Sequence, residues 1–316
     1  MIDSKVGDVM IYITGDTHRD FSRLYNINET KEDMLIILGD AGINYFLNEN
    51  DIKLKDHLKR FKIKFFCIRG NHEERPENIK TYKEVEMFGG KVFIEDNYPY
   101  LIFAKDGEIY NIDGKSVLVI GGAYSVDKKY RLLYGYQWFN DEQLSKEEMN
   151  KILRKVKGKH FDIVLTHTCP YKYEPKEAFI KGLNQLEVDK SMEHFLDTIE
   201  ENIAYDKWYC GHYHIDKQID KIEFMFGRIK KFDKDEFVPK YNKNGYEILR
   251  DYCSHEDVFK ENKVCCPECK TNDIAILKGN GEYINGIDEI ALICNKCKKV
   301  YGFNDVKYKP NCPKEL

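Results

Sequence analysis

Val9-Met-Ile-Tyr-Ile-Thr14 leads straight into Gly15-Asp16-Thr17-His18, and the junction between these stretches decides how the chain folds. A continuous apolar run of this length reads as a strand buried on both faces. Gly-Asp ends it, leaving a carboxylate and an imidazole where strand gives way to loop. The same junction recurs. Met34-Leu-Ile-Ile-Leu38 ends in Gly39-Asp40, and Lys64-Phe-Phe-Cys-Ile68 passes through Arg69 into Gly70-Asn71-His72-Glu73. Asp162-Ile-Val-Leu-Thr166 delivers His167, and Lys207-Trp-Tyr-Cys210 delivers Gly211-His212-Tyr213-His214. Phe21 to Asn26 is a short helix candidate. Asp51 to Phe61, apolar at Ile52, Leu54, Leu58 and Phe61, predicts a modest amphipathic helix. Strand, helix, strand, helix, strand implies neighbouring parallel strands joined by right-handed crossovers. Sites in such sheets form outside the carboxyl ends of strands, where the Asp and His residues of this chain sit.

The middle of the chain changes character. Glu108-Ile-Tyr-Asn-Ile112, Asp113-Gly114 and Ser116-Val-Leu-Val-Ile120 predict a hairpin closed by Gly121-Gly122. Ser145-x-x-Glu148 is a capping box that opens a helix running to Val156. Ile222-Glu-Phe-Met-Phe226, Gly227 and Ile229 to Phe232 predict a last hairpin. From Asp233 to Lys263 charge, Tyr and Asn accumulate. The expected organisation is a main domain over 1–232, a charged linker or arm over 233–262, and a small module with tail over 263–316. Residues 1–9 read as an accessory extension.

Hydrophobic content of 42% in 316 residues is ample for a packed core and excludes wholesale disorder. Lys+Arg 50 against Asp+Glu 54 argues against a protein-wide basic surface for nucleic acid, while leaving local patches open. No apolar run approaches the ~18 residues of a membrane span. Met1 to Asp8 carries two aspartates and no apolar segment, so it does not read as a secretory signal. Of ten cysteines, Cys67, Cys169 and Cys210 fall in or beside apolar runs, as small buried hydrophobes do, and five crowd between Cys265 and Cys297. That distribution predicts a cytoplasmic protein with a metal cluster rather than a disulfide scaffold.

Asp16 and Asp40 offer hard anionic oxygens, His18, His167, His212 and His214 imidazole nitrogens, and Asn71 a neutral carbonyl oxygen. Such a mixed set suits Mn, Fe, Ni or Zn rather than calcium or copper(I). Seven ligands crowd a single ion but fit two divalent ions if one carboxylate bridges them.

Taken in order, these five blocks resemble the calcineurin-like metallophosphoesterase family over Met10 to about Phe232. Gly121-Gly-Ala-Tyr-Ser-Val-Asp-Lys-Lys-Tyr-Arg131 and Trp138-Phe139 resemble a branch of it found in Gram-positive bacteria and their phages. The resemblance implies an α/β fold in which two mixed β-sheets pack as a sandwich flanked by helices, with metals at one edge. By matching positions it implies Asp16, His18 and His214 on the first ion, Asn71, His167 and His212 on the second, and Asp40 bridging. It further implies a hydroxide between the ions attacking phosphorus in line, with His72 assisting the leaving oxygen. Glu73 is either a partner orienting His72 or a surface carboxylate. Arg19 departs from the glycine many relatives carry there. It is a candidate phosphate clamp or one half of an ion pair with Asp20 or Glu73. Arg69 resembles the protein serine/threonine phosphatase branch, but Ala41-Gly-Ile-Asn44 lacks that branch's Asp-Arg-Gly. Asp127 and Arg131 either reach the active-site rim or form a surface salt bridge.

Cys266-Pro-Glu-Cys269 and Cys294-Asn-Lys-Cys297 are two C-x-x-C knuckles spaced for a hairpin, the pattern of a closed four-thiolate structural zinc site. The pattern resembles a zinc ribbon, with Ile287 to Leu292 as the strand leading into the second knuckle and Cys265 and Cys312 as spare thiols. Lys296, Lys298, Lys299, Lys307 and Lys309 alternate with Tyr301, Phe303 and Tyr308. Such a face can dock nucleic acid or a protein, or simply be solvated. The leading expectation is a cytoplasmic, metal-dependent phosphatase or phosphodiesterase. A nuclease or nucleotide phosphoesterase whose ribbon presents nucleic acid is the narrower alternative, and a non-catalytic scaffold the alternative from another class.

Overall fold

Strands built from uninterrupted apolar residues need cover on both faces, and this chain supplies it with two sheets and helices. The computed structural model describes residues 9–27, 30–180, 182–238, 246–250, 266, 268–269, 271, 274–284 and 287–302. The chain divides into two compact units, Met1–His18 with Glu29–Glu236, and Arg19–Asn28 with Phe237–Leu316. The first unit carries β1 (Ile11–Thr14), β2 (Met34–Ile37), α1 (Glu49–Leu58), β3 (Lys64–Cys67), β4 (Tyr82–Met87), β5 (Gly90–Glu95) and β6 (Tyr98–Ala104). It continues with β7 (Ile109–Ile112), β8 (Lys115–Ile120), α2 (Lys128–Tyr134), α3 (Lys146–Val156), β9 (His160–Thr166) and α4 (Ser191–Asn202). It closes with β10 (Ala204–Cys210), β11 (Lys217–Ile219), β12 (Ile222–Phe224) and β13 (Ile229–Lys231).

One sheet runs β13-β1-β2-β3-β6-β5-β4 and the other β11-β12-β10-β9-β8-β7. Both are mixed, and with their flanking helices they form the expected sandwich. In the first sheet β1, β2, β3 and β6 are parallel, with Thr14 opposite Ile37 and Ile37 opposite Cys67. The residues that follow therefore leave at one edge. In the second sheet β8, β9 and β10 are parallel, with Ile120 and Cys210 both opposite Thr166. Gly121, His167 and Gly211 thus also leave together. Every residue of β2 is buried, whereas β4 at the sheet edge buries none and carries charge, which guards an open edge.

α3 and α4 cover the second sheet. Ile152 and Val156, and Met192, Leu196 and Ile199, join Leu118, Ile120, Val164 and Trp208 in one core. The Trp208 indole N–H donates to Thr166 Oγ1 at 2.8 Å, so the largest core side chain leaves no buried donor unpaired. α3 begins with the expected capping box of Ser145 and Glu148.

The expected last hairpin is not formed. Ile222–Phe224 pairs in parallel with β10 and antiparallel with β11, while Ile229–Lys231 crosses to the other sheet and pairs antiparallel with β1. Two apolar runs separated by a short bridge look the same whether they fold back or change sheets. Here Met225 N donates to Cys210 O at 2.8 Å and Phe226 N to Asp216 Oδ1 at 2.9 Å, which carries the chain across. The Phe21 to Asn26 segment is a 3-10 turn over Ser22–Asn26. α1 starts earlier than Asp51, because Asn48 caps it by accepting from Asn50 N at 2.9 Å. β4 to β6, α2 and α4 arise where the sequence analysis gives no expectation.

The second unit contains a four-stranded antiparallel sheet, β14 (Tyr246–Arg250), β15 (Ile274–Ile284), β16 (Ile287–Cys294) and β17 (Val300–Gly302). β16 includes the strand expected over Ile287 to Leu292 and ends on Cys294. β14 lies within the 233–262 stretch. The extension over 1–8, Cys265, Cys312, Phe303, Lys307, Tyr308 and Lys309 lie outside the described residues. Among the described residues no helix is long and apolar enough to cross a membrane.

Candidate dimetal site

Five loops leaving the two parallel edges bring their polar residues together. Several adopt backbone that L-residues avoid: His18 (φ 44°), Asp40 (φ 47°), His212 (φ 68°) and His214 (φ 50°) are all left-handed. Each such residue costs about 1–3 kcal/mol, and strain of this kind concentrates where side chains must be aimed. His18 N donates to Asp40 O at 2.8 Å, and Thr17 Oγ1 to Ala41 O at 3.1 Å, which locks the first two loops together.

The donors fall into overlapping groups. His18 Nε2 lies 2.8 Å from His214 Nε2, and Asp16 Oδ2 lies 3.1 Å from His214 Nε2 and 3.7 Å from His18 Nε2. His167 Nε2 lies 2.9 Å from Asn71 Oδ1 and 3.6 Å from Asp40 Oδ2. Asp40 also groups with His18 and His72, and Asp16 with Asp40 and His167, all ligand atoms of each group lying within 4.8 Å. The His212 ring stands 5.0 Å from that of His167, and its backbone N–H donates to Asp16 Oδ1 at 3.0 Å. An ion with ligand bonds of about 2.1 Å holds its donors about 3.0–3.4 Å apart, so these spacings fit divalent metals.

The atoms are also oriented for ligation. Asn71 Nδ2 donates to Ser125 Oγ at 2.9 Å, leaving Oδ1 towards His167. Ser125 is itself held by Glu142, to whose Oε1 its N–H donates at 3.0 Å. His167 Nδ1 donates to Leu38 O at 2.7 Å, which aims the Nε2 lone pair at Asn71 and Asp40. Ser125 lies within a block quoted above for resemblance alone. Neither it nor Glu142 carries a metal-ligand pattern that would have singled it out.

Close approach explains two glycines. A Cβ on Gly39, which has φ +97°, would lie 2.1 Å from His167 Nδ1, and one on Gly70 would lie 1.9 Å from Asp40 Oδ1. Gly70→Ala is therefore expected to displace Asp40 and lower kcat/KM by about 10²-fold, the usual cost of an ångström-scale misplacement. Steady-state kinetics at saturating Mn, with circular dichroism as a folding control, check this. Activity within twofold of wild type would contradict it.

The electrostatics suit cations. Burial, the largest influence, pushes the Asp40 carboxyl up, yet His72, His167 and His18 hold it well below the usual range. Asp16 is likewise lowered against its burial, by its hydrogen bond to His214 and the charge of His167. Burial pushes His167 down, but Asp40 and Asp16 overcome it and raise His167 to about 9. Burial, then His167, lowers His212 to about 3. The anionic oxygens are thus available at neutral pH, and a divalent ion taking the His167 lone pair must displace a proton.

His72 stands at the rim. Its backbone N–H donates to Asp40 Oδ1 at 2.8 Å, its Nε2 lies 3.8 Å from Asp127 Oδ1, and Arg131 Nη2 approaches Nδ1 at 2.8 Å. Arg131 Nε also pairs with Asp127 Oδ2 at 2.8 Å, so the ion pair and the rim position hold at once. Burial, opposed by Asp40 and reinforced by Arg131 and His18, lowers the pKa of His72. Glu73 fits neither expectation. It is buried, and its Oε1 accepts from Gly70 N at 3.2 Å beneath the loop; burial, then Asp40, raises it to about 8. Arg69 is consumed structurally by Asp106 at 2.9 Å and by the carbonyls of Glu142 and Gly121. Arg19 is partly buried with φ 72° and belongs to the second unit.

In the second unit the four sulfurs of Cys266, Cys269, Cys294 and Cys297 lie within 4.8 Å of one another. Cys266 and Cys297 Sγ are 3.6 Å apart and Cys269 and Cys294 Sγ 3.4 Å, well beyond a disulfide bond. Tetrahedral zinc with bonds of about 2.3 Å spaces its sulfurs about 3.8 Å apart, so the quartet fits that ion.

A search of the curated proteins finds no match to the chain. The calcineurin-like phosphoesterase family model matches residues 9–216, the stretch that carries all five loops. With more than half of the sequence matched and the two-sheet sandwich delivering its candidate ligand side chains to one edge, the chain belongs to the calcineurin-like phosphoesterase family.

Proposed function

We propose that this chain hydrolyses phosphoesters with two divalent ions, of Mn, Fe, Ni or Zn, held between its sheets' parallel edges. The observation that carries the reading is the convergence of Asp16, His18, Asp40, Asn71, His167, His212 and His214 from five separate loops. Asp16, His18 and His214 hold one ion, Asn71, His167 and His212 the other, and Asp40 serves both. Bound together, two such ions activate water and neutralise the charge of a phosphoryl group. Asp16 and Asp40 would lower the net charge of such a pair and help to position it. Arg131 Nη2 lies 2.8 Å from His72 Nδ1 and 3.1 Å from Nε2 and holds the ring at the rim, from which it assists the departing oxygen. Arg19 remains a candidate for gripping a substrate oxygen.

His72→Asn is expected to lower kcat by about 10²-fold for an alkyl phosphate, with bound Mn unchanged. For p-nitrophenyl phosphate, whose leaving oxygen needs little protonation, the loss should be several-fold smaller. Equal losses on both would remove the assisting role. The reading as a whole is tested by a Mn-supplemented panel of nucleotides, DNA, RNA, phosphopeptides and aryl esters; no turnover of any would refute it and favour the scaffold alternative.

The domain is assigned to 1–232, the arm to 233–262 and the zinc ribbon to 263–316, with one structural zinc on Cys266, Cys269, Cys294 and Cys297. Exposed Lys296 and Lys298 beside the second knuckle support nucleic-acid or protein docking as a secondary reading. The described cysteines are free, which favours a cytoplasmic setting.

A further inference from the structure

A cavity of about 220 Å³ opens from Asp40, Asn71, His72, His212 and His214 into a wall that takes no part in holding ions. A protein cavity of about 150 Å³ accommodates benzene, so this volume admits a phosphoryl group with a ring or short chain attached to it. The wall belongs to the first unit and comes from two segments beyond the strand-end loops. Val126 follows β8, while Ala178, Phe179, Ile180, Leu183 and Val188 lie between β9 and α4. The Phe179 ring lies within 24° of parallel to that of Tyr213, with their centres 6.4 Å apart.

The charged side chains along this wall are engaged with one another. Lys190 Nζ pairs with Glu174 Oε1 at 2.5 Å, and Tyr213 OH lies 3.2 Å from the same oxygen. Asp127 pairs with Arg131 at 2.8 Å. Glu193 is buried, its Oε1 accepting from Thr168 Oγ1 at 2.7 Å and its Oε2 closed off from the cavity. Tyr124 and Gln185 make up the uncharged polar remainder. A sugar, a peptide or a nucleobase brings several donors and acceptors, each costly to bury without a partner. A hydrocarbon needs none and gains by leaving water. His72 settles which part of a substrate enters. It lines the cavity, and the oxygen it assists is the one bonded to the leaving group, so that group faces the apolar wall.

We propose that this cavity receives an apolar leaving group, which makes the substrate the phosphate ester of a phenol or of a hydrophobic alcohol of about one ring's size. The inference rests on the phosphoesterase reading for its orientation, with phosphorus at the ion site and the leaving group against Val126, Phe179 and Leu183. Those three are specificity residues that touch the leaving group and not the reacting atoms.

The test uses the full chain loaded with Mn and two non-hydrolysable ligands, butylphosphonate and 3-hydroxypropylphosphonate, which have equal chain lengths and differ in a terminal methyl against a hydroxyl. Calorimetry on wild type should show the butyl compound binding about tenfold tighter or more, the scale of burying a hydroxyl without a partner. Benzylphosphonate should bind at least as tightly as the butyl compound, because the volume admits a ring. Val126→Trp fills the space, and Phe179→Ser makes the wall polar should the first variant fail to fold; each should reduce the butyl preference to about threefold or less. Wild-type affinities for the first pair within twofold of each other, no binding of either, exclusion of the benzyl compound, or an undiminished preference in the variants would overturn the proposal. Wild-type turnover of phenyl phosphate is measured in parallel. Apolar preference without turnover would support the pocket and refute the hydrolase reading, and turnover without preference would do the reverse.

Discussion

Asp40→Asn is expected to reduce Mn-dependent phosphoester turnover by at least about 10³-fold, the upper scale for losing one preorganised electrostatic group. The side chain keeps its size, so the effect comes from charge. Asp40 is buried, and the imidazoles of His72, His167 and His18 hold its carboxyl ionised against that burial. Neutralising it removes an anionic oxygen from the proposed donor sets of both ions, which outweighs the easier deprotonation of His167 that follows. Metal analysis of the purified variant should show fewer than two ions per chain beyond the structural zinc, where wild type is expected to show two. Turnover within tenfold of wild type, with both ions retained, would show that Asp40 serves neither ion. The amide retains an oxygen to accept from His72 N, and circular dichroism checks that the fold is kept.

The second large effect concerns the cysteine quartet. Cys294→Ser is expected to remove one zinc per chain and to open the 246–302 region to protease. Structural zinc in small modules contributes about 10–16 kcal/mol of apparent binding energy at neutral pH, more than a core of this size supplies. Cys294 is fully buried, and burial pushes its thiol well above the usual range, so without zinc it is a protonated thiol whose proton the ion must displace. Because each ligand must shed a proton, zinc release should accelerate as pH falls. Elemental analysis with limited proteolysis reads both effects. Unchanged zinc content, or an equally resistant region without zinc, would contradict a structural ion there.

The legible parts of this chain are those where one local pattern has one three-dimensional meaning. An apolar run ending in Gly-Asp or Gly-Asn-His at a parallel edge left few choices, and the donors of Asp16, His18, Asp40, Asn71 and His167 do converge. Where a pattern had two meanings, the reading failed or stayed open. Ile222–Phe226 and Ile229–Phe232 are equally good as hairpin arms or as strands of different sheets, and only Cys210 and Asp216, far from either turn, decide it. Arg131 rides on α2, in which no residue is buried while Tyr130, Leu132, Leu133 and Tyr134 are exposed. No helix is expected there from sequence, and the local pattern left open whether Asp127 and Arg131 reach the rim or pair at the surface; only the fold shows the guanidinium at His72. Glu73 was hidden for another reason. A carboxylate in a polar loop reads as solvated, and its burial under Gly70 follows from packing that local sequence does not encode. Ser125 and Glu142 act only through Asn71, and such partners leave no ligand signature of their own.

The central claim is that two ions share the Asp40 carboxylate. Anomalous diffraction at the Mn edge, from crystals of the full chain grown with Mn, tests it most directly. The account predicts two peaks in the first unit, one beside Asp16, His18 and His214 and one beside Asn71, His167 and His212, with an Asp40 oxygen bound to each. A single peak, or two peaks with Asp40 bound to only one, would contradict it.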